Sequence, residues 1–222
     1  PRRRPLGAEG VRAIATTLCL IRHGVTDWNS QGRLQGHSDI PLNELGIRQA
    51  EALARRLSRE PWSALWSSDL LRARQTAEPI LRYTGLPLQI DPQLRERCLG
   101  PLEGLTFEEV QRRFPGYPSA EVNLPGVESR EQLRQRAMAV ITRLVETHPG
   151  QRLLVVSHGA WINSVLAVVS GGRVGTGKTR LENASVSVIV GDGRDWDLQL
   201  VNDTRHLEEL DLHPDGVELS RR

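Results

Sequence analysis

Leu18-Cys19-Leu20-Ile21-Arg22-His23-Gly24 and Leu153-Leu154-Val155-Val156-Ser157-His158-Gly159 are two copies of one pattern. Each is an apolar run, one polar residue, then His-Gly. Neither run alternates with polar residues, as expected of a strand buried on both faces of a parallel sheet. In such sheets ligands bind outside the carboxyl ends of the strands, which is where both histidines fall. A glycine there lets another group approach the backbone closely. One histidine at a strand end is ordinarily a structural residue. Two in the same context, with Arg22 beside one of them, turn attention to a site.

Working outward, a polar, Gly-containing loop follows the first copy through Ser38, and Asn43 reads as the N-cap of a helix. Leu45, Gln49, Ala50, Leu53, Ala54 and Leu57 form a mostly apolar stripe at helical spacing. Ala64 to Ser67 predicts a second short strand, Leu70 to Tyr83 a helix stopped by Gly85, and Leu88 to Ile90 an edge strand. Thr106 with Glu109 and Ser129 with Gln132 fit the capping box, the second opening a helix to about Thr147. Leu153 to Val156 is a further buried strand and Ala160 to Val169 a helix. The stretch from Leu181 reads as strand up to Val190. Ser185 to Val190 and Trp196 to Val201 pair through a turn at Gly191-Asp192-Gly193. Strands alternating with helices imply a three-layer α/β/α sandwich with a mostly parallel central sheet.

Composition narrows the class. The 222 residues suit one domain, expected over 16–207. No apolar run approaches the roughly 20 residues of a membrane-spanning helix. The net charge of +2 is too small to argue for nucleic acid. Of the 29 basic residues only Lys178 is a lysine. Guanidinium forks bind carboxylate and phosphate bidentately, which suits an anionic substrate, although base composition shapes such a bias everywhere at once. Cys19 and Cys98 lack metal-ligand spacing and fit a reducing compartment. Pro1-Arg2-Arg3-Arg4-Pro5 resembles the front of a signal peptide, but Glu9 and Arg12 break the apolar stretch that must follow. The expectation is a basic tail over 1–15 on a cytoplasmic protein, with a second tail over 208–222. Neither a membrane nor a nucleic-acid partner is expected, and a homo-oligomer is left open.

Arg72 lies in Ser68-Asp69-Leu70-Leu71-Arg72-Ala73-Arg74-Gln75-Thr76, where the second strand hands over to its helix. That is another strand's carboxyl end, close to a helix N-terminus that attracts anions. An ordinary solvated helix arginine is the competing reading, and the preferred one for Arg74. Glu96, in Leu94-Arg95-Glu96-Arg97, is a carboxylate between arginines and on its own reads as a surface ion pair.

Leu20-Ile21-Arg22-His23-Gly24-Val25-Thr26-Asp27-Trp28-Asn29 resembles the signature of the histidine phosphatase superfamily, in its phosphoglycerate mutase-like branch. The resemblance continues in order through Gly32-Arg33-Leu34-Gln35-Gly36, Asp39 to Leu42, Gly46 to Ala50 and Ser67 to Ala77. It then takes in Leu94-Arg95-Glu96, Leu102-Glu103-Gly104, Pro125 to Ser129, Val155 to Gly159 and Asn202 to Leu207. It covers about 17–207, and the whole series is far more specific than Arg-His-Gly alone.

The resemblance implies that His23 is a nucleophile that becomes phosphohistidine. Arg22, Arg72 and His158 would hold the phosphate, Glu96 would donate a proton, and Asn29, Gln35, Gly36 and Gly159 would add phosphate contacts. The substrate would be a small phosphomonoester, with no cofactor and no metal. The chemistry suits these residue types. A phosphate monoester repels an anionic nucleophile, whereas a neutral imidazole can attack it, and flanking guanidiniums keep the imidazole neutral. They also stabilise the equatorial oxygens during transfer.

Gly172-Arg173-Val174-Gly175-Thr176-Gly177-Lys178-Thr179 satisfies the G-x-x-x-x-G-K-[ST] pattern, but that pattern needs a strand before it and a helix after it. Here the order is inverted, so 171–179 reads as a Gly-rich connection. Mutases of the branch carry a longer basic insertion after the acid glutamate. The short segment here, whose Arg112 and Arg113 fit the polar face of a helix, favours a phosphatase, with a cofactor-dependent phosphoglycerate mutase as the alternative. A silent binding module has no support, since all five core residues are present. Trp161 is open between a pocket wall and the core.

Overall fold

The computed structural model describes residues 14–118 and 124–208; the tails expected over 1–15 and 208–222 lie almost wholly outside them. In chain order the elements are β1 (Thr16–Arg22), α1 (Asp27–Ser30), α2 (Glu44–Leu57), β2 (Ala64–Ser67), α3 (Leu71–Thr84), β3 (Leu88–Ile90) and α4 (Phe107–Arg113). There follow α5 (Arg130–Thr147), β4 (Arg152–Ser157), α6 (Gly159–Val169), β5 (Val186–Gly191), β6 (Trp196–Asp203) and α7 (Arg205–Glu208).

The six strands form one sheet in the order β3-β2-β4-β1-β5-β6. β3, β2, β4 and β1 are mutually parallel, and β5 runs against both of its neighbours. The sheet is therefore mostly parallel, as the alternation of elements predicts. β1 and β4 are adjacent, with Leu18 opposite Leu153 and Arg22 opposite Ser157. That register sets the two His-Gly copies side by side at one end of the sheet.

Side-chain alternation distributes each apolar run between two cores. Cys19, Ile21, Leu154 and Val156 pack with Leu53 and Leu57 of α2 and Ala73, Ala77 and Ile80 of α3. Leu18, Leu20, Leu153 and Val155 pack on the other face with α5 and α6, through residues such as Leu133, Ile141, Ile162 and Val165. These are the three layers. Truncating one such buried leucine to alanine costs about 2–5 kcal/mol. Trp161 belongs to the second core, where it is fully buried and donates Nε1–H to Gln93 O at 3.0 Å. It is a core residue and not a pocket wall.

The local signals hold at the helix ends. Asn43 accepts from Gly46 N, Thr106 and Ser129 form reciprocal capping boxes, and α3 ends at Gly85 with φ 71°. Two readings change. The loop before Ser38 contains the single-turn helix α1, closed by a capping box between Thr26 and Asn29 and too short for any periodicity to show. Residues 181–185 do not begin a strand, because their backbone groups are engaged by Arg22 and His23 at the end of β1. Leu181 O accepts from Arg22 NH1, Ala184 N donates to His23 O at 3.1 Å, and Ser185 O accepts from Arg22 N at 3.1 Å. The Gly-rich connection precedes no helix, and Lys178 Nζ donates back to Gly172 O at 2.6 Å.

The 98–127 segment carries α4 and a small core of its own around Leu102, Leu105 and Val110. Arg112 and Arg113 are exposed, and Arg112 lies 3.8 Å from Glu108 one turn earlier. No helix among the described residues is long and apolar enough to cross a membrane.

Candidate active site

Backbone at a strand end needs partners for its polar groups, and here the neighbouring strand and three side chains supply them. His23 N donates to Ser157 O at 3.0 Å, Gly24 N to Thr76 Oγ1 at 3.0 Å, and Val25 N to Gln49 Oε1 at 2.9 Å. Asn183 Nδ2 donates to His23 O at 3.1 Å. Gly24 also has a steric reason: a Cβ there would lie 2.7 Å from Gly46 O. Thr76, Gln49 and Asn183 are functional supports that sequence reasoning missed. Gln49 is completely buried within the apolar stripe, and a buried amide that must find a partner was the available signal.

His23 and His158 face each other with ring centroids 5.1 Å apart. His23 Nδ1 lies 2.7 Å from Gly24 O. A carbonyl only accepts, so Nδ1 carries the hydrogen and Nε2 is left with its lone pair. Burial, reinforced by the Arg72 and Arg22 charges, pushes the His23 pKa well below the usual imidazole value. Burial and the Arg72 charge do the same to His158, whose Nε2 lies 2.9 Å from Ser68 Oγ. Both rings are therefore neutral at neutral pH.

Arg72 is fully buried, its NH1 donating to Ser38 O at 2.7 Å and its NH2 to Gly36 O at 2.8 Å. Burial lowers its pKa to about 10, with Glu96 opposing the shift, so it stays charged at neutral pH. Arg22 is anchored through NH1 to Leu181 O. Arg22 Nε, Arg72 Nε and His158 Nδ1 are buried without hydrogen-bond partners among the described residues. Three orphaned nitrogens around one imidazole, two of them on cations, suit an anion with several acceptor oxygens.

Glu96 reaches the same place from the irregular stretch after β3. Its Oε1 accepts from Arg97 N at 2.9 Å, Ala160 N at 3.1 Å and Trp161 N at 3.2 Å, and its Oε2 accepts from Ala160 N at 3.1 Å. The carboxylate thus sits on the N-terminus of α6. Neither flanking arginine pairs with it: Arg95 forks onto Asp69, and Arg97 Nε donates to Glu128 O. A Cβ on Gly159 would lie 3.5 Å from Arg22 Nε and 3.8 Å from Glu96 Oε2, so this residue borders both the cation and the carboxylate.

The remaining candidates split. Asn29 lines a cavity of about 290 Å³ with Arg22, Ser30, Arg180, Glu182 and Asn183, while its Oδ1 is engaged by Thr26. Gln35 is buried, its Oε1 accepting from Thr26 Oγ1 at 3.0 Å. Gly36 offers its carbonyl to Arg72 and so holds a cation. Among the described residues no group of three or more His, Cys, Asp or Glu side chains is arranged to hold a metal ion.

The histidine phosphatase superfamily (branch 1) profile matches residues 18–204. A metal-independent phosphoserine phosphatase of Arabidopsis thaliana is 36% identical over 210 residues, covering 90% of this chain and 87% of its own length. A probable phosphoglycerate mutase of Yersinia pestis is 36% identical over 203 residues, covering 85% and 94%. The structure of a mycobacterial glucosyl-3-phosphoglycerate phosphatase with VO3 superposes with a TM-score of 0.76 at 31% identity, over 84% of this chain and 98% of that one. With the profile spanning the sheet and every element around the paired histidines, the chain belongs to branch 1 of the histidine phosphatase superfamily.

Proposed function

We propose that the protein is a metal-independent phosphomonoester hydrolase that acts on a small phosphorylated metabolite through a phosphohistidine on His23. The observation that carries this reading is the neutral, buried His23 with its Nε2 lone pair, flanked by the charged guanidiniums of Arg22 and Arg72 and by His158. Nε2 attacks phosphorus as the ester P–O bond breaks, and Glu96 delivers a proton to the departing oxygen. Water then attacks phosphorus, Glu96 takes its proton, and the P–N bond breaks to release inorganic phosphate. Arg22, Arg72 and His158 stabilise the equatorial oxygens in both steps, and Asn29, Gln35 and Gly159 add further phosphate contacts. Glu96→Gln should slow alkyl phosphates by roughly 10²–10⁴ and aryl esters with acidic leaving groups much less. A reducing, cytoplasmic setting accords with the free thiols of Cys19 and Cys98.

Hydrolysis is favoured over mutase chemistry by the 98–127 segment. A mutase must hold its intermediate product beside the phosphohistidine and exclude water. The arginines of this segment, Arg112 and Arg113, face solvent instead. The test is stoichiometry. Inorganic phosphate should appear in an amount equal to the alcohol, with no lag, in the presence of a chelator, and without a bisphosphorylated primer. Interconversion of 2- and 3-phosphoglycerate faster than phosphate release, and dependent on bisphosphoglycerate, establishes the mutase instead.

A further inference from the structure

The stretch that carries Glu96 is ordered locally only by one 3₁₀ turn at Pro92–Leu94, which uses the carbonyls of Asp91 and Pro92, so those of Gln93, Arg95 and Glu96 need donors from elsewhere. Arg136, on α5, supplies them. Its NH1 donates to Gln93 O at 2.7 Å and Arg95 O at 2.9 Å, and its NH2 to Glu96 O at 3.2 Å. The remaining donors go to Glu128, Nε to Oε1 and NH2 to Oε2, each at 2.9 Å. All five N–H groups of the guanidinium are thereby used once. The pair is largely shielded, with side-chain exposures of 17% and 15%. Glu128 is tied to the same stretch through its Oε2, which accepts from Cys98 N at 3.1 Å. A second donor, His37 Nε2, lies 2.8 Å from Glu96 O.

We infer that Arg136, braced by Glu128, is a positioning residue for proton transfer: it sets the main chain of Glu96 so that the carboxylate lies against the α6 N-terminus, next to Gly159 and Arg22. The inference rests on the reading of Glu96 as the acid. Arg136 touches neither carboxylate oxygen of Glu96, so its effect runs through the backbone alone. A lysine has three donors on a single point and cannot span three carbonyls and a carboxylate.

The test is leaving-group dependence in Arg136→Lys, Arg136→Met and Glu128→Gln, each checked for a native circular dichroism spectrum. A misplacement near 1 Å costs about 10²-fold. Turnover of β-glycerophosphate should therefore fall about 30- to 100-fold in both Arg136 variants, and turnover of 4-nitrophenyl phosphate less than about 5-fold. Lysine should rescue little, and orthovanadate inhibition should stay within about 3-fold of the parent. Glu128→Gln, which leaves Arg136 in place, should show the same selectivity at smaller amplitude. Equal losses on both esters, full rescue by lysine, or failure of all three variants to fold would overturn the inference and leave the pair a structural staple. If Glu96→Gln itself slows both esters equally, it is the reading of Glu96 that fails.

Discussion

Replacing Gly46 with alanine sets two effects of known size against each other. Gly46 lies in the first turn of α2, where alanine is the better helix former by about 1 kcal/mol. The added Cβ, however, would lie 2.1 Å from Val25 O and 2.9 Å from Val25 N. Val25 must retreat by about 1 Å to restore ordinary contact, an overpacking that costs about 1–3 kcal/mol. The same carbonyl accepts from Asn43 N at 3.0 Å, so the retreat also weakens a bond worth about 1 kcal/mol. The clash wins, and net destabilisation should be about 2 kcal/mol, or roughly 4–8 °C in Tm for a domain of this size. Activity should suffer more. Val25 is two residues beyond His23, and about 1 Å of displacement there should lower kcat on the order of 10²-fold. Gly85→Ala is the control. Its φ of 71° makes alanine strained by about 1–2 kcal/mol, but nothing lies within 4 Å, so Tm should fall while kcat holds. The assays are thermal melting and 4-nitrophenyl phosphate turnover. A Gly46→Ala protein with parental kcat would refute the idea that contact with α2 positions the His23 loop.

Three further expectations follow from buried or paired groups. The ring protons of His23 and His158 should show no titration between pH 8 and 5.5 by NMR, because burial and then the Arg72 charge hold both rings neutral; a midpoint near 6.5 for either ring contradicts this. Burial pushes the Cys19 thiol up to about 12, so a thiol reagent should label only Cys98 in the native protein, with Cys19 reacting after unfolding; rapid native labelling of both would contradict it. Hydrogen bonds from Arg205, supplemented by Arg56 and opposed by burial, hold the Asp203 carboxyl far below the usual range. A depressed folded-state pKa gives stability that is present above the unfolded value near 3.9 and lost as pH falls toward the folded one. Asp203→Asn should therefore melt below the parent at pH 7, with the gap closing under pH 4, and a gap independent of pH would refute the pairing.

Much of this arrangement was legible because it is local. The two apolar runs ending in His-Gly are strands buried on both faces, and their shared register follows from being neighbours in one parallel sheet. The caps at Asn43, Thr106 and Ser129 depend only on residues three apart. What escaped depends on partners distant in sequence. Thr76 meets Gly24 across 52 positions, and Asn183 meets His23 across 160. Arg136 lies among the polar residues of an amphipathic helix, where periodicity marks it as solvated. Only the fold brings the 93–96 carbonyls to it. Residues 181–185 read as strand only because they run into Ser185 to Val190; Arg22 and His23 at the end of β1 take their backbone groups first.

The central claim is that the phosphoryl group passes through His23. Rapid quenching during steady turnover, followed by peptide mapping, measures this directly. An acid-labile, alkali-stable phosphate should appear on His23, formed and lost with rate constants no smaller than kcat, and be absent in His23→Ala, which should be folded and inactive. Label on any other residue, or a folded His23→Ala protein that still turns over, would contradict it.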